Sequence, residues 1–142
     1  MPSTTEALLD VNVVIASLFE DHEHHHRARR FVESLNHFYT CPTTQSGFLR
    51  FATRPVPNSP PRLSIGTARD KLKEWVQTDG HVFVPDDFSF TDLSLRSISG
   101  HRQWTDAYLL QLASRHHLHF ASIDNRMANL DDPNHPAFVV IP

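Results

Sequence analysis

Three aspartates each stand at the edge of an apolar run. Asp10 follows Ala7-Leu8-Leu9, Asp106 opens Ala107-Tyr108-Leu109-Leu110 and Asp124 closes Phe120-Ala121-Ser122-Ile123. A carboxylate among apolar neighbours is costly unless something compensates its charge. Several gathered at one end of a sheet can hold a hard divalent cation such as Mg²⁺ or Mn²⁺, which prefers oxygen ligands. An ion held there orients a water, lowers its pKa and stabilises a leaving oxyanion, which suits phosphodiester hydrolysis. Each aspartate also has a structural reading: Asp10 as a helix cap, Asp106 as first-turn charge, Asp124 as the start of a turn. Three at equivalent positions favour one shared site.

To converge, these acids need strands that all run the same way. Apolar runs at 8–11, 38–41, 81–84, 120–123 and 138–141 predict strands, the first ending at Asp10. Helical spacing predicts helices over 12–19, 24–35 and 104–116, one starting at Pro42 with a threonine cap, and one from Ser64 to Val76. A further short helix is expected over 90–97. The alternation gives an α/β class with a central, mostly parallel sheet flanked by helices, in one domain over residues 1–142. Four prolines within Pro55-Val56-Pro57-Asn58-Ser59-Pro60-Pro61 break the helix before them and make an extended surface loop.

Composition narrows the class. A hydrophobic share of 39% and a charged share of 20% are ordinary for a globular protein. The single cysteine, Cys41, excludes an internal disulfide framework and reads as a buried structural thiol in a reducing compartment. Residues 1–6 lack the basic start of a signal peptide, and no stretch reaches the roughly 20 apolar residues of a membrane span. A soluble, cytoplasmic protein is expected. The net charge of −3 does not advertise a nucleic-acid binder, although a bound cation can reverse the local field.

Leu8-Leu9-Asp10-Val11-Asn12, Thr40-Cys41-Pro42-Thr43-Thr44-Gln45-Ser46-Gly47-Phe48-Leu49-Arg50, Thr105-Asp106-Ala107-Tyr108-Leu109 and Ala121-Ser122-Ile123-Asp124 resemble, in order, the four PIN-domain motifs of VapC-type toxins. The resemblance covers nearly the whole chain. It implies a Mg²⁺- or Mn²⁺-dependent endoribonuclease, the toxin of a type II toxin–antitoxin pair, with Asp10, Asp106 and Asp124 as catalytic, metal-binding acids. It also implies a homodimer and a VapB-like antitoxin whose C-terminal segment covers the acidic groove, where an arginine would meet the three aspartates. Many relatives carry a glutamate where this chain has Gln45. An amide oxygen can coordinate a cation but brings no charge and cannot act as a base. The alternative reading is therefore a catalytically impaired module that binds RNA or protein without cutting.

Asn12 and Thr105 are expected to hydrogen-bond a carboxylate or a water on the ion. Asn125 reads as a cap of the next turn. Arg50 and Arg54 share a helical face and offer a path for RNA, as does the Arg27, Arg29, Arg30 cluster; both also fit a solvated surface. His22 and His26 have the i, i+4 spacing of a zinc pair, but no partner cluster accompanies them, so a solvated helix start is favoured. His116, His117 and His119 end a helix, where positive charge is mildly favourable. His101 lies just ahead of that helix.

Overall fold

The structure, a computed structural model, describes residues 4–142. Met1–Ser3, the start of the segment read for a leader, lie outside the described residues. Five strands form one sheet: β1 (Glu6–Leu9), β2 (His37–Thr40), β3 (His81–Phe83), β4 (His119–Ser122) and β5 (Phe138–Val140). Their order is β3-β2-β1-β4-β5 and every neighbouring pair is parallel. The chain steps outward from β1 to β3, then returns to lay β4 on the other side of β1. That reversal makes the carboxyl ends of β1 and β4 the topological switch point, where open α/β sheets take ligands in a crevice.

Five helices cover the sheet: α1 (Val11–Leu18), α2 (His25–Ser34), α3 (Pro42–Thr53), α4 (Ile65–Val76) and α5 (Trp104–Arg115). Alternation along β1 sends Ala7 and Leu9 into a core shared with α1 to α4. Leu8 enters the opposite core, under α5 with Tyr108, Leu109, Leu112 and Phe120. Because both faces are covered, the central strand β1 is buried continuously from Ala7 to Leu9 rather than at alternate residues. No helix among the described residues is long and apolar enough to cross a membrane.

Several expected boundaries shift. Strand β1 stops at Leu9 and β4 at Ser122, so Asp10 and Asp124 lie beyond the ladder rather than within it. Helix α3 is capped by Cys41, not by a threonine; the Cys41 N–H donates to Thr44 Oγ1 at 3.0 Å. Cys41 is fully buried, and burial pushes its thiol up to about 11, as suits a structural residue. The short helix expected over 90–97 is only a 3₁₀ turn at Phe90–Asp92. His22 precedes α2 and its Nδ1 accepts the His24 N–H, so His22 and His26 do not share a helical face. Arg27 is occupied: Nε donates to the Pro142 carbonyl and Nη2 to those of Ile123 and Ile141. It ties α2 to the segments that follow β4 and β5.

Candidate active site

Asp10 is the most constrained acid. It caps α1, with its Oδ1 accepting the Val11 N–H at 2.7 Å, while its own N–H extends the β1–β4 ladder to the Ala121 carbonyl. Oδ2 accepts the Ser122 hydroxyl at 2.9 Å. Asn12 holds that serine in turn: its Nδ2 donates to Ser122 Oγ at 3.0 Å, and its Oδ1 accepts the Ile123 N–H at 3.3 Å. A chain of side chains therefore locks the end of β4 to the start of α1. Asp10 is 5% exposed. Burial pushes its carboxyl up to about 6, the hydrogen bond from Ser122 opposes the rise, and the charge of Asp106 adds to it.

Asp106 lies in the first turn of α5, where a carboxylate complements the helix dipole. It too is raised above the ordinary carboxylate range, first by burial; Arg126 lowers it and Asp124 raises it. Asp124 is more open, with its side chain 46% exposed. Its Oδ1 accepts both the backbone N–H of Arg126, at 3.0 Å, and Arg126 Nε, at 3.2 Å. Asp106 is thus within electrostatic reach of Asp10 on one side and of Asp124 on the other, at the carboxyl ends of β1 and β4.

The other candidates divide. Gln45, in the first turn of α3, donates from Nε2 to Thr40 Oγ1 at 3.0 Å. Thr40 is fully buried and lies 2.7 Å from His81 Nε2. Burial lowers the pKa of His81, so its neutral ring can accept the Thr40 hydroxyl. Asn12 is linked to Asp10 through Ser122. Thr105 and Arg50 are exposed and make no side-chain hydrogen bond among the described residues. His116 pairs with Asp87 at 2.8 Å, away from the acids. Sequence reasoning assigned no role to Ser122 or Arg126. Ser122 carried a signal, since a hydroxyl inside an apolar strand needs a buried partner; Arg126 carried none beyond standing two residues after Asp124.

Among the described residues no three His, Cys, Asp or Glu side chains are disposed to grip one bare ion directly. The donor set nonetheless suits a hydrated one. Mg²⁺ commonly keeps several waters and takes only one or two carboxylates from the protein. Asp10 and Asp106 also carry a desolvation and repulsion that a cation would relieve.

The PIN-domain family model matches residues 7–133. Ribonuclease VapC29 of Mycobacterium tuberculosis is 40% identical over 124 residues, covering 87% of this chain and 89% of that protein. The chain belongs to the VapC family of PIN-domain proteins. Ribonuclease VapC38 of the same organism is 38% identical over 83% of this chain and 84% of its own. Among solved structures, this VapC-family fold matches a chain of VapBC2 from Rickettsia felis, bound to a DNA fragment from their promoter. That match has a TM-score of 0.68 and 10% identity, covering 97% of this chain and 100% of the other. A toxin–antitoxin complex from Klebsiella pneumoniae matches with a TM-score of 0.60 and 15% identity, over 94% and 95% of the two chains.

Proposed function

We propose that this protein is the toxin of a type II toxin–antitoxin pair and hydrolyses RNA phosphodiester bonds at the acidic crevice with Mg²⁺ or Mn²⁺. The observation that carries the reading is that Asp106 lies within electrostatic reach of both Asp10 and Asp124, with Asp10 and Asp106 each desolvated and repelled by a neighbouring acid. Such a set is unfavourable by itself and becomes favourable with a cation. Asp10 and Asp124 would hold the ion, with Asp106 reaching it directly or through water. When bound, the ion supplies an activated water and charge neutralisation at phosphate. The residues themselves contribute orientation: Ser122 and Asn12 fix the Asp10 carboxylate, and Gln45 is anchored on Thr40.

Family membership also supports a cognate VapB-like antitoxin, since both structural matches come from toxin–antitoxin complexes. Homodimerisation and a cytoplasmic site of action enter the proposal on the same family grounds. The test is induced expression of the parent and of Asp10→Asn, with growth and RNA integrity as readouts and cleavage by purified protein in Mg²⁺ alongside. Undiminished cleavage by a folded Asp10→Asn protein removes the metal-site reading. Gln45 favours a second reading, a PIN-like module that binds without cutting, because its amide supplies no charge to the crevice. Mn²⁺ titration separates the two, since a dead module binds no Mn²⁺ through Asp10 and cuts no RNA.

A further inference from the structure

We propose that Arg126 is the phosphate clamp of the acidic crevice, a guanidinium fork that Asp124 aims at the RNA backbone. This rests on the ribonuclease reading and assigns the residue that brings substrate into the site. A phosphodiester approaching three carboxylates is repelled, so a cation must accompany it.

Arg126 is placed and oriented for that role. Its backbone N–H and its Nε both donate to Asp124 Oδ1. The side chain is thereby steered from its inner edge. Its two terminal nitrogens make no hydrogen bond to any described residue, and these are the donors that grip a phosphate in bidentate fashion. The side chain is 70% exposed, so the ion pair with Asp124 adds little to folding. Its charge nevertheless reaches inward, opposing the raised pKa values of both Asp10 and Asp106.

Other arginines are engaged elsewhere or show no influence on the acids. Arg27 is bound to three backbone carbonyls. Arg54 and Arg62 both stack on the Phe51 ring, at 4.9 and 4.4 Å. Arg96 pairs with Asp132 at 2.8 Å. Arg50 is exposed near the far end of α3 and shows no contact with the acids. Arg126 therefore combines free donors with electrostatic reach to the acids.

The experiment measures binding of a short labelled single-stranded RNA by fluorescence anisotropy in EDTA across a salt series, and cleavage in Mg²⁺, for the parent, Arg126→Ala and Arg126→Lys. Arg126→Ala is expected to bind about tenfold more weakly. The slope of log affinity against log salt should shrink by about 0.7, one single-strand phosphate contact. Arg126→Lys should restore the slope but not the full affinity, because an ammonium lacks the fork. Melting temperatures should match the parent, as expected for an exposed position.

Equal RNA affinity and an equal salt slope in Arg126→Ala would overturn the proposal. So would an Arg126→Ala protein that binds Mn²⁺ more tightly and cuts faster, which would make Arg126 a counter-ion holding the crevice shut. Asp10→Asn run beside these variants keeps the two readings apart. If it cuts RNA like the parent, the acidic-site reading fails, while the EDTA binding series still decides the clamp.

Discussion

The ends of β1 and β4 carry the same local pattern, an apolar strand leading at once or nearly so into an aspartate, yet the fold treats the two acids differently. Asp10 is sealed in, with one oxygen on the Val11 N–H and the other on the Ser122 hydroxyl. Asp124 is half-exposed, and both of its hydrogen bonds come from Arg126, two residues along the same loop. The difference arises from the segment into which each strand leads. After β1 the chain enters α1 directly, and Val13 to Leu18 bury that helix against the sheet, α2 and α3. After β4 it enters a turn, with Asn125 and Arg126 in solvent. One side of the crevice is a fixed anchor, and the other is a surface loop whose arginine can engage a ligand.

The largest test of that contrast replaces each acid by its amide. Asp10→Asn and Asp124→Asn should each lower RNA cleavage, by roughly 10³-fold if the site depends on the charge. Their stabilities should diverge. Unfolded Asp10 ionises at 3.8 and folded Asp10 at about 6, so between those values the fold retains a proton that the unfolded chain has lost. Stability therefore falls as pH rises through that window. Above it the buried charge costs about 3 kcal/mol. In EDTA at about pH 7.5, Asp10→Asn should melt several degrees above the parent, with the gain vanishing below about pH 4. Asp124→Asn should melt within about a degree of the parent at either pH. Calorimetry across pH checks both, and equal shifts in the two variants would erase the distinction.

A smaller effect is expected at the support of the anchored acid. Ser122→Ala removes the donor to Asp10 Oδ2 and leaves Asn12 Nδ2 without its acceptor. Cleavage should fall about 10- to 100-fold. The acid limb of the pH–rate profile should move upward, because the hydrogen bond that held the Asp10 pKa down is gone. An unmoved limb would mean that Ser122 only packs.

Packing against the anchor is a smaller lever. A Cβ on Gly47 would meet Val11 Cγ2 at 2.5 Å and Cγ1 at 2.9 Å. Val11 is β-branched and begins α1 beside Asp10, so it has little freedom to yield. Gly47→Ala should cost about 1–3 kcal/mol, read by urea denaturation. The smallest effect is expected at Gln45. Gln45→Glu adds charge to the crevice but loses the donor to Thr40 Oγ1. Mn²⁺ affinity should tighten only a few-fold, by isothermal titration, the lost hydrogen bond offsetting part of the gain.

Much of the architecture was legible because period and punctuation agree. Apolar runs at all five strands, the Pro42 start of α3 and the Ser64 cap of α4 each carry their own local signal. The 90–97 segment misled because Phe90 and Leu93 are apolar at helical spacing, whereas only Leu93 is buried. Periodicity cannot tell an apolar face that meets a core from one that faces water.

For the site, the residue types and order pointed to the three aspartates, since a carboxylate ending an apolar run is conspicuous in any linear reading. Which acid is anchored and which is open depended on the strand order. Parallel pairing of β4 with β1 carries Ser122 to Asp10 across 112 residues and sets Asn12 against Ser122 and Ile123. Hydrogen bonds of that span leave no periodic trace. Burial, which raises Asp10 and spares Arg126, is likewise a property of the packed layers. The sequence by itself determined the elements and the acids, through local propensity and patterning; the tertiary structure alone decided their partners, their solvation and the arginine paired with Asp124 beside them.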